Sequence, residues 1–366
     1  MKKQILTFGL ALSMVFTPVM SFADTAKATN LSLEEAYATY QKTDAYNLVK
    51  LENALDKASI KDMYVDKDLP NYNYYSKLMK EQRDYSNKVL ESNAAARENK
   101  TYLGFVQQYY GLKYAEESLA IAEAGLATAK KSYETTQLKY KLGTVSKMEF
   151  NQATINYSKT QNEVKSAKAE LETAKMQFNS FIGMDLNAQL KLTSSIEEAA
   201  MPDTKLEDAV NAALEHRSEL ITADYNVSMA RRNYVAAEPY PHTGSKFAAA
   251  NLGYQSALYA AKAAKDSIVI DVTTKYNTMH NLYDTVQLDK KNLTAAQDTY
   301  NMALKRYELG MSTLTEVQNA EQLLNSTKVE KAKNLVAYRL AVKEFELCMG
   351  AGTKVANIPG AGGAEE

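Results

Sequence analysis

The chain holds a single cysteine, Cys348, no tryptophan and only six prolines among 366 residues. One cysteine rules out an intrachain disulfide, so packing alone holds the fold. The charges cancel, with 43 basic and 44 acidic side chains, which gives no reason to expect a nucleic-acid partner. Past the first residues there is no long apolar run, and a spanning helix needs about 20 such residues. The three histidines, His216, His242 and His280, lie far apart and lack metal-ligand spacing. No HExxH, GxSxG or phosphate-binding glycine loop is present. The expectation is a protein without cofactor or metal that is not an enzyme. Charged residues make up 24% and the mean hydropathy is −0.41. So polar a chain buries only narrow stripes, which predicts an elongated shape.

The first residues predict export. Lys2 and Lys3 precede an apolar stretch ended by Pro18, and Ser21-Phe22-Ala23 offers small residues for cleavage. This is the pattern of a signal peptide, residues 1–23. A second cut is available after Ala28, and no cysteine lies nearby to carry a lipid.

Because proline breaks helix interiors, the proline-free stretches 71–201 and 242–358 are where long helices can run. Each contains one reversal, at Leu142-Gly143 and at Leu309-Gly310. Glycine just past a helix end supplies the left-handed residue a tight stop needs, and Gly183 and Gly350 are expected to act likewise. The resulting map places helices at 32–60, 75–142, 146–182, 206–237, 247–309 and 313–349. It gives one hairpin unit at 31–183, a linker at 184–203 with a short extended piece near 189–192, a second unit at 204–350, and a disordered tail at 351–366.

The two units are copies. A shift of 167 places Gly143 on Gly310, Glu149 on Glu316, Ala153 on Ala320 and Phe178 on Phe345. Both long helices carry an apolar residue every seven positions: Phe105, Leu112, Leu119, Leu126, Tyr133 and Tyr140 in the first, Val272, Met279, Val286, Leu293, Tyr300 and Tyr307 in the second. The descending helices repeat this, and only Lys331 interrupts the stripe. An ordinary amphipathic helix would drift about 120° over six heptads at ~20° each, so the strict period predicts a left-handed supercoil. The long helices match two shorter ones placed end to end. The expected fold is all-α, a tandem repeat of long antiparallel coiled-coil hairpins. Two hairpins form only a thin curved wall, and self-association into a ring would bury its edges.

At each reversal the motif is Tyr-x-x-Gly followed by an acid and an alanine: Tyr140-Lys141-Leu142-Gly143 with Glu149 and Ala153, and Tyr307-Glu308-Leu309-Gly310 with Glu316 and Ala320. In tandem and in register, this resembles the TolC-like outer membrane efflux proteins over nearly all of residues 31–350. The resemblance implies a homotrimeric α-barrel that serves as the passive exit duct of a tripartite efflux or type I secretion system in the cell envelope. It implies docking of a periplasmic adaptor protein at the tips (Tyr140, Leu142, Gly143, Tyr307, Leu309, Gly310). Through the adaptor the duct would reach an inner-membrane pump or ABC transporter. It further implies a gate at the pore mouth, with Tyr307 matching the gate tyrosine, Glu149 the gate acid and Glu316 a ring acid. Ser312 stands where the family often has a gate arginine.

The upper loops depart from that pattern. About 60–75 and 238–246 are too short for paired spanning strands of ~9–11 residues, so a barrel-less or vestigial form is expected. Tyr64, Tyr72, Tyr74 and Tyr75 read as a solvated turn, with a reduced tip touching an envelope layer as the alternative. A structural coiled coil that merely spaces the envelope is the rival to the duct, but a bare spacer needs no recurring tip motif.

Overall fold

The computed structural model describes residues 29–194, 196 and 199–358. The expected signal peptide and the tail from 359 onward lie outside these residues. Among them the chain forms β1 (Thr29–Leu31), α1 (Leu33–Tyr40), α2 (Asp44–Lys61), α3 (Tyr72–Lys141), α4 (Lys147–Phe181), β2 (Leu190–Leu192), α5 (Leu206–His216), α6 (Ser218–Ala237), α7 (Ser245–Glu308) and α8 (Leu314–Cys348). The 70 residues of α3 span about 105 Å at 1.5 Å per residue.

The helices lie side by side as a wall. α3 packs on α2 and α4 along one flank and on α6 and α8 along the other; α7 packs on α5, α6 and α8. The seven-residue stripe is what these contacts bury. Phe105, Leu112, Leu171 and Phe178 belong to one core, and their repeat partners Val272, Met279, Tyr338 and Phe345 belong to the other. Nearer the reversal, Tyr133 stacks on Phe150 and Tyr157, and Tyr140 lies parallel to Phe150 with ring centres 5.1 Å apart.

Two expected helices are broken in the structure. The helix expected at 32–60 is split between α1 and α2. The Ser32 hydroxyl and the Glu35 carboxylate cap α1 reciprocally. Thr43 ends it by donating its hydroxyl to the Tyr40 carbonyl, and the same oxygen accepts the Tyr46 N–H that starts α2. A short polar side chain offering such bonds competes with helix continuation. The helix expected at 206–237 breaks at Arg217, whose backbone is extended at φ −77°, ψ 126°. The break lets its guanidinium turn inward, 2.6 Å from Asp271, and donate to the Cys348 carbonyl. Burying a cation requires such partners.

The extended piece near 189–192 pairs in parallel with β1, Thr29 opposite Leu190 and Leu31 opposite Leu192. No spanning strand pair occurs between α2 and α3 or between α6 and α7, where only residues 62–71 and 238–244 intervene.

The tail expected to be disordered from 351 is held by hydrogen bonds as far as Asn357. Asn93 donates to the Ala356 carbonyl and accepts the Ala356 N–H, and Asn99 donates to the Gly352 carbonyl. The left-handed residue after α8 is Gly352, at φ +68°, rather than Gly350. A Cβ on Gly352 would come within 2.5 Å of the Arg217 guanidinium. Gly352→Ala should therefore free residues 353–358, raising their amide exchange and lowering Tm by a few degrees, with helix content by circular dichroism unchanged.

Candidate functional site at the hairpin tips

Each reversal is built from a glycine stop and a hydroxyl start. After α3 the Gly143 N–H donates to the Tyr140 carbonyl at 3.0 Å and the Thr144 N–H to the Lys139 carbonyl at 2.9 Å. After α7 the Gly310 N–H donates to the Tyr307 carbonyl at 3.0 Å and the Met311 N–H to the Arg306 carbonyl at 2.8 Å. This double bond pattern closes on a left-handed residue, and Gly143 and Gly310 sit at φ +73° and +72°. The next helix begins at once. The Ser146 hydroxyl accepts the Glu149 N–H, and the Thr313 hydroxyl accepts the Glu316 N–H. Glu149 and Glu316 are thus the third residues of α4 and α8, where the helix dipole favours a carboxylate. Ser/Thr-x-x-Glu is itself a helix-start signature, so these two acids have a structural reason to be there apart from any role at a pore mouth.

The two tips are tied. The Tyr307 hydroxyl donates to Glu149 Oε1 at 2.6 Å, joining α7 to α4. The Lys139 ammonium of α3 lies 4.7 Å above the centre of the Tyr307 ring. Burial, the bond to Glu149 and the Glu149 charge push the Tyr307 phenol up to about 12. The phenol therefore keeps its proton and remains the donor at any physiological pH. Gln152 of α4 donates to Gln318 of α8 at 3.2 Å, a second tie between the hairpins.

Of the residues singled out in the sequence, Tyr307 and Glu149 are brought together. Ser312 is not part of that pair; its hydroxyl donates to the Ala303 carbonyl of its own hairpin. Glu316 is exposed at the start of α8. Leu142 and Leu309 are about two-thirds exposed at the turns, flanked by exposed Met148 and Met311, while the Tyr140 ring packs on Phe150. Lys139, Gln152 and Gln318 were not singled out in the sequence, because long polar side chains on a coiled coil read as solvated surface. A cavity of about 420 Å³ lies above the tie between α3, α7 and α8. The histidines stay apart, His242 against Phe247 and His280 against Tyr276.

Comparison with known proteins places each tip inside a match. Residues 242–351 match the outer membrane efflux protein family, and residues 111–179 match the α-helical hairpin domain of RND MFP proteins. Over residues 242–351 the chain is similar to that efflux protein family. The fold of the whole is that of such channels. The transmembrane channel CusC aligns over 91% of this chain and 96% of its own at 14% identity and a TM-score of 0.68. VceC of Vibrio cholerae, an outer membrane protein, aligns over 88% and 97% at 13% identity and 0.64. The CmeC outer membrane channel of Campylobacter jejuni aligns over 89% and 84% at 14% identity and 0.58. No individually curated protein is significantly similar. The resemblance drawn from the tip motif holds, and so does the all-α hairpin architecture without barrel strands among the described residues.

At both tips the left-handed glycines set the turn. Gly310→Val should cost about 1–2 kcal/mol through the left-handed φ alone. It should raise amide exchange over residues 305–316 while leaving global helix content within error.

Proposed function

We propose that this chain is the exit duct of a tripartite efflux or type I secretion system, a passive conduit in the cell envelope. Three copies would form the tube. Its tips would receive a periplasmic adaptor protein, linked in turn to an inner-membrane pump or ABC transporter. The observation that carries this reading is the tie between Tyr307 and Glu149. It joins α7 of one hairpin to α4 of the other where the chain reverses, and the resemblance assigns the family's gate positions to these two residues. A spacer rod has no use for a releasable bond between its hairpins.

The edges of the wall support the tube. Along α4 the residues Met148, Ile155 and Met176 are exposed apolar side chains at multiples of seven. On the opposite edge α7 carries exposed Leu252 and Tyr259, then Leu288 and Met302, at multiples of seven within each pair, with exposed Leu258 and Ile270 outside that spacing. Above α4, on its side of the wall, α2 exposes Leu48, Leu51 and Leu55. Two different edges with the same coiled-coil period suit head-to-tail contact between copies, which closes into a ring when the rotation permits. At the tip end of the tube the exposed Leu142, Leu309, Met148 and Met311 would give an adaptor apolar contacts, with Gly143 and Gly310 setting the shape of each tip. Ser312 supplies no cation to the gate, so Tyr307 and Glu149 act without the family's arginine.

Mass measurement of the mature protein should return three copies of the chain, and end-on images should show a hollow ring. Leu288→Glu with Met302→Glu should reduce it to monomer while preserving helix content. A solid rod, or a stable wild-type monomer, would overturn the duct.

The tie itself should be worth about 1–2 kcal/mol, as for a hydrogen bond to a charged group at a half-buried site. Tyr307→Phe with Glu149→Gln should loosen the tips, read as faster amide exchange in residues 300–312. Adaptor capture should persist in that variant and fall when both Leu142 and Leu309 are replaced by Asp.

A further inference from the structure

Above the tip tie, the seam between the two hairpins holds a buried acid. Glu321 of α8 is only 7% exposed, and its Oε1 has no hydrogen-bond partner. Gln318, one turn earlier, is 9% exposed; its Oε1 accepts from Gln152 while its Nε2 is unpartnered. Both side chains lie between two cavities. One of about 420 Å³ is bounded by α3, α7 and α8, and one of about 290 Å³ by α3, α4 and α8. The groups facing Glu321 come from every neighbouring helix. α4 brings Glu163 and Lys159, which pair at 3.7 Å on the exposed side. α7 brings Tyr300 and Glu308, and α3 brings Lys131 and Lys139 across the larger cavity. Lys328 approaches from α8 itself. None of these cations forms an ion pair with the Glu321 carboxyl among the described contacts.

A buried carboxylate with no partner is expensive, and the usual escape is to keep the proton. As a neutral acid Glu321 suits the closed seam. As a carboxylate it calls for more water than its 7% exposure admits, which it gains if α8 moves off α4, and it faces the Glu163 charge. We propose that Glu321 is a proton-sensitive brace between the hairpins, a carboxylic acid while they are closed on each other and a carboxylate once they part. The proposal rests on the reading of the tips as an entrance that opens and closes.

The direction follows from the groups around it. Burial first, and then the Glu163 charge, push the Glu321 carboxyl up from 4.5 to about 7, with Lys328 opposing. The parted form, with the carboxyl in water, keeps the ordinary value. The closed form therefore binds the proton more tightly. Closure is at full strength below the ordinary carboxyl range. It weakens as the pH rises from about 4.5 towards 7, and above that the whole contribution is gone. Each unit between the two values is a tenfold change in the ratio of closed to parted forms.

The test is amide exchange on the assembled full-length protein at pH 5.5 and pH 8, corrected for intrinsic rates. It is followed at residues 314–326 of α8 and 152–164 of α4. Wild-type protection should fall about tenfold or more at the higher pH. Glu321→Gln, which keeps the shape and cannot ionise, should hold the low-pH protection at both values. Glu163→Gln should keep only part of the response. A wild type without pH dependence, or an unchanged response in Glu321→Gln, overturns the brace. Tyr307→Phe separates the two ideas. If it loosens residues 300–312 while Glu321→Gln leaves the pH response intact, the entrance stands and the brace falls. If neither substitution moves anything, the opening entrance falls as well.

Discussion

A wall one helix thick gives each helix neighbours on only two sides, so every helix must bury its apolar surface along a line rather than a face. The seven-residue stripe satisfies that constraint. Phe105, Leu112, Val272 and Met279 are all at or below 2% exposure, and the same seven-residue positions nearer the tips, Leu119, Tyr133 and Tyr300 among them, stay half-buried. The same constraint explains the composition. With so little surface buried per helix, the remainder must be polar, and the residues that would make a thicker core are missing. It also explains the two apolar edges on α4 and α7, since a wall that does not close on itself leaves its outermost seams unfilled.

The ends of the helices are fixed by chemistry that acts over four or five residues. At each tip a glycine with positive φ closes one helix, and a Ser or Thr hydroxyl opens the next within three residues. Because both tips use the same device at the same heptad phase, Tyr307 and Glu149 arrive at the same height on different hairpins. The 2.6 Å contact follows from that registration. Shifting either turn by one residue would rotate its side chain by about 100° around the helix and separate the pair.

What the sequence made legible was therefore what repeats or what acts locally. The stripe, the glycine stops and the duplication could be read directly, and Tyr307 and Glu149 could be named through the motif they belong to. Contacts between segments far apart in the chain were out of reach. Nothing in three residues of β1 indicates that Leu31 pairs with Leu192, and nothing near Gly352 reveals the guanidinium of Arg217 lying against it. Arg217 interrupts a pattern that reads as one helix, and only the placement of Asp271 and the Cys348 carbonyl explains the break. Glu321 looked like one more solvated acid, because burial of a polar residue on a coiled coil depends on which neighbour covers it.

The seam is not uniform along its length, and the gradient bears on where it can part. In the upper part the buried residues are Phe105, Tyr109, Tyr110 and Leu112 on α3, Leu171 and Phe178 on α4, and Tyr338, Val342 and Phe345 on α8. Towards the tips they become Ile121, Gly125, Ala129 and Thr136 on α3, Ala153, Thr160 and Val164 on α4, and a mixture of Leu314, Val317 and Leu324 with Gln318, Ala320 and Glu321 on α8. Large apolar side chains contribute roughly 1.5–3 kcal/mol each on burial. Small and polar ones contribute far less, and two of these leave polar atoms unpartnered. Local opening follows the weakest packing in a structure. The upper end of the wall is thus the more heavily packed, and the seam between the hairpins near their ends, where polar Gln318 and Glu321 lie among a few aliphatic side chains, is the weaker part.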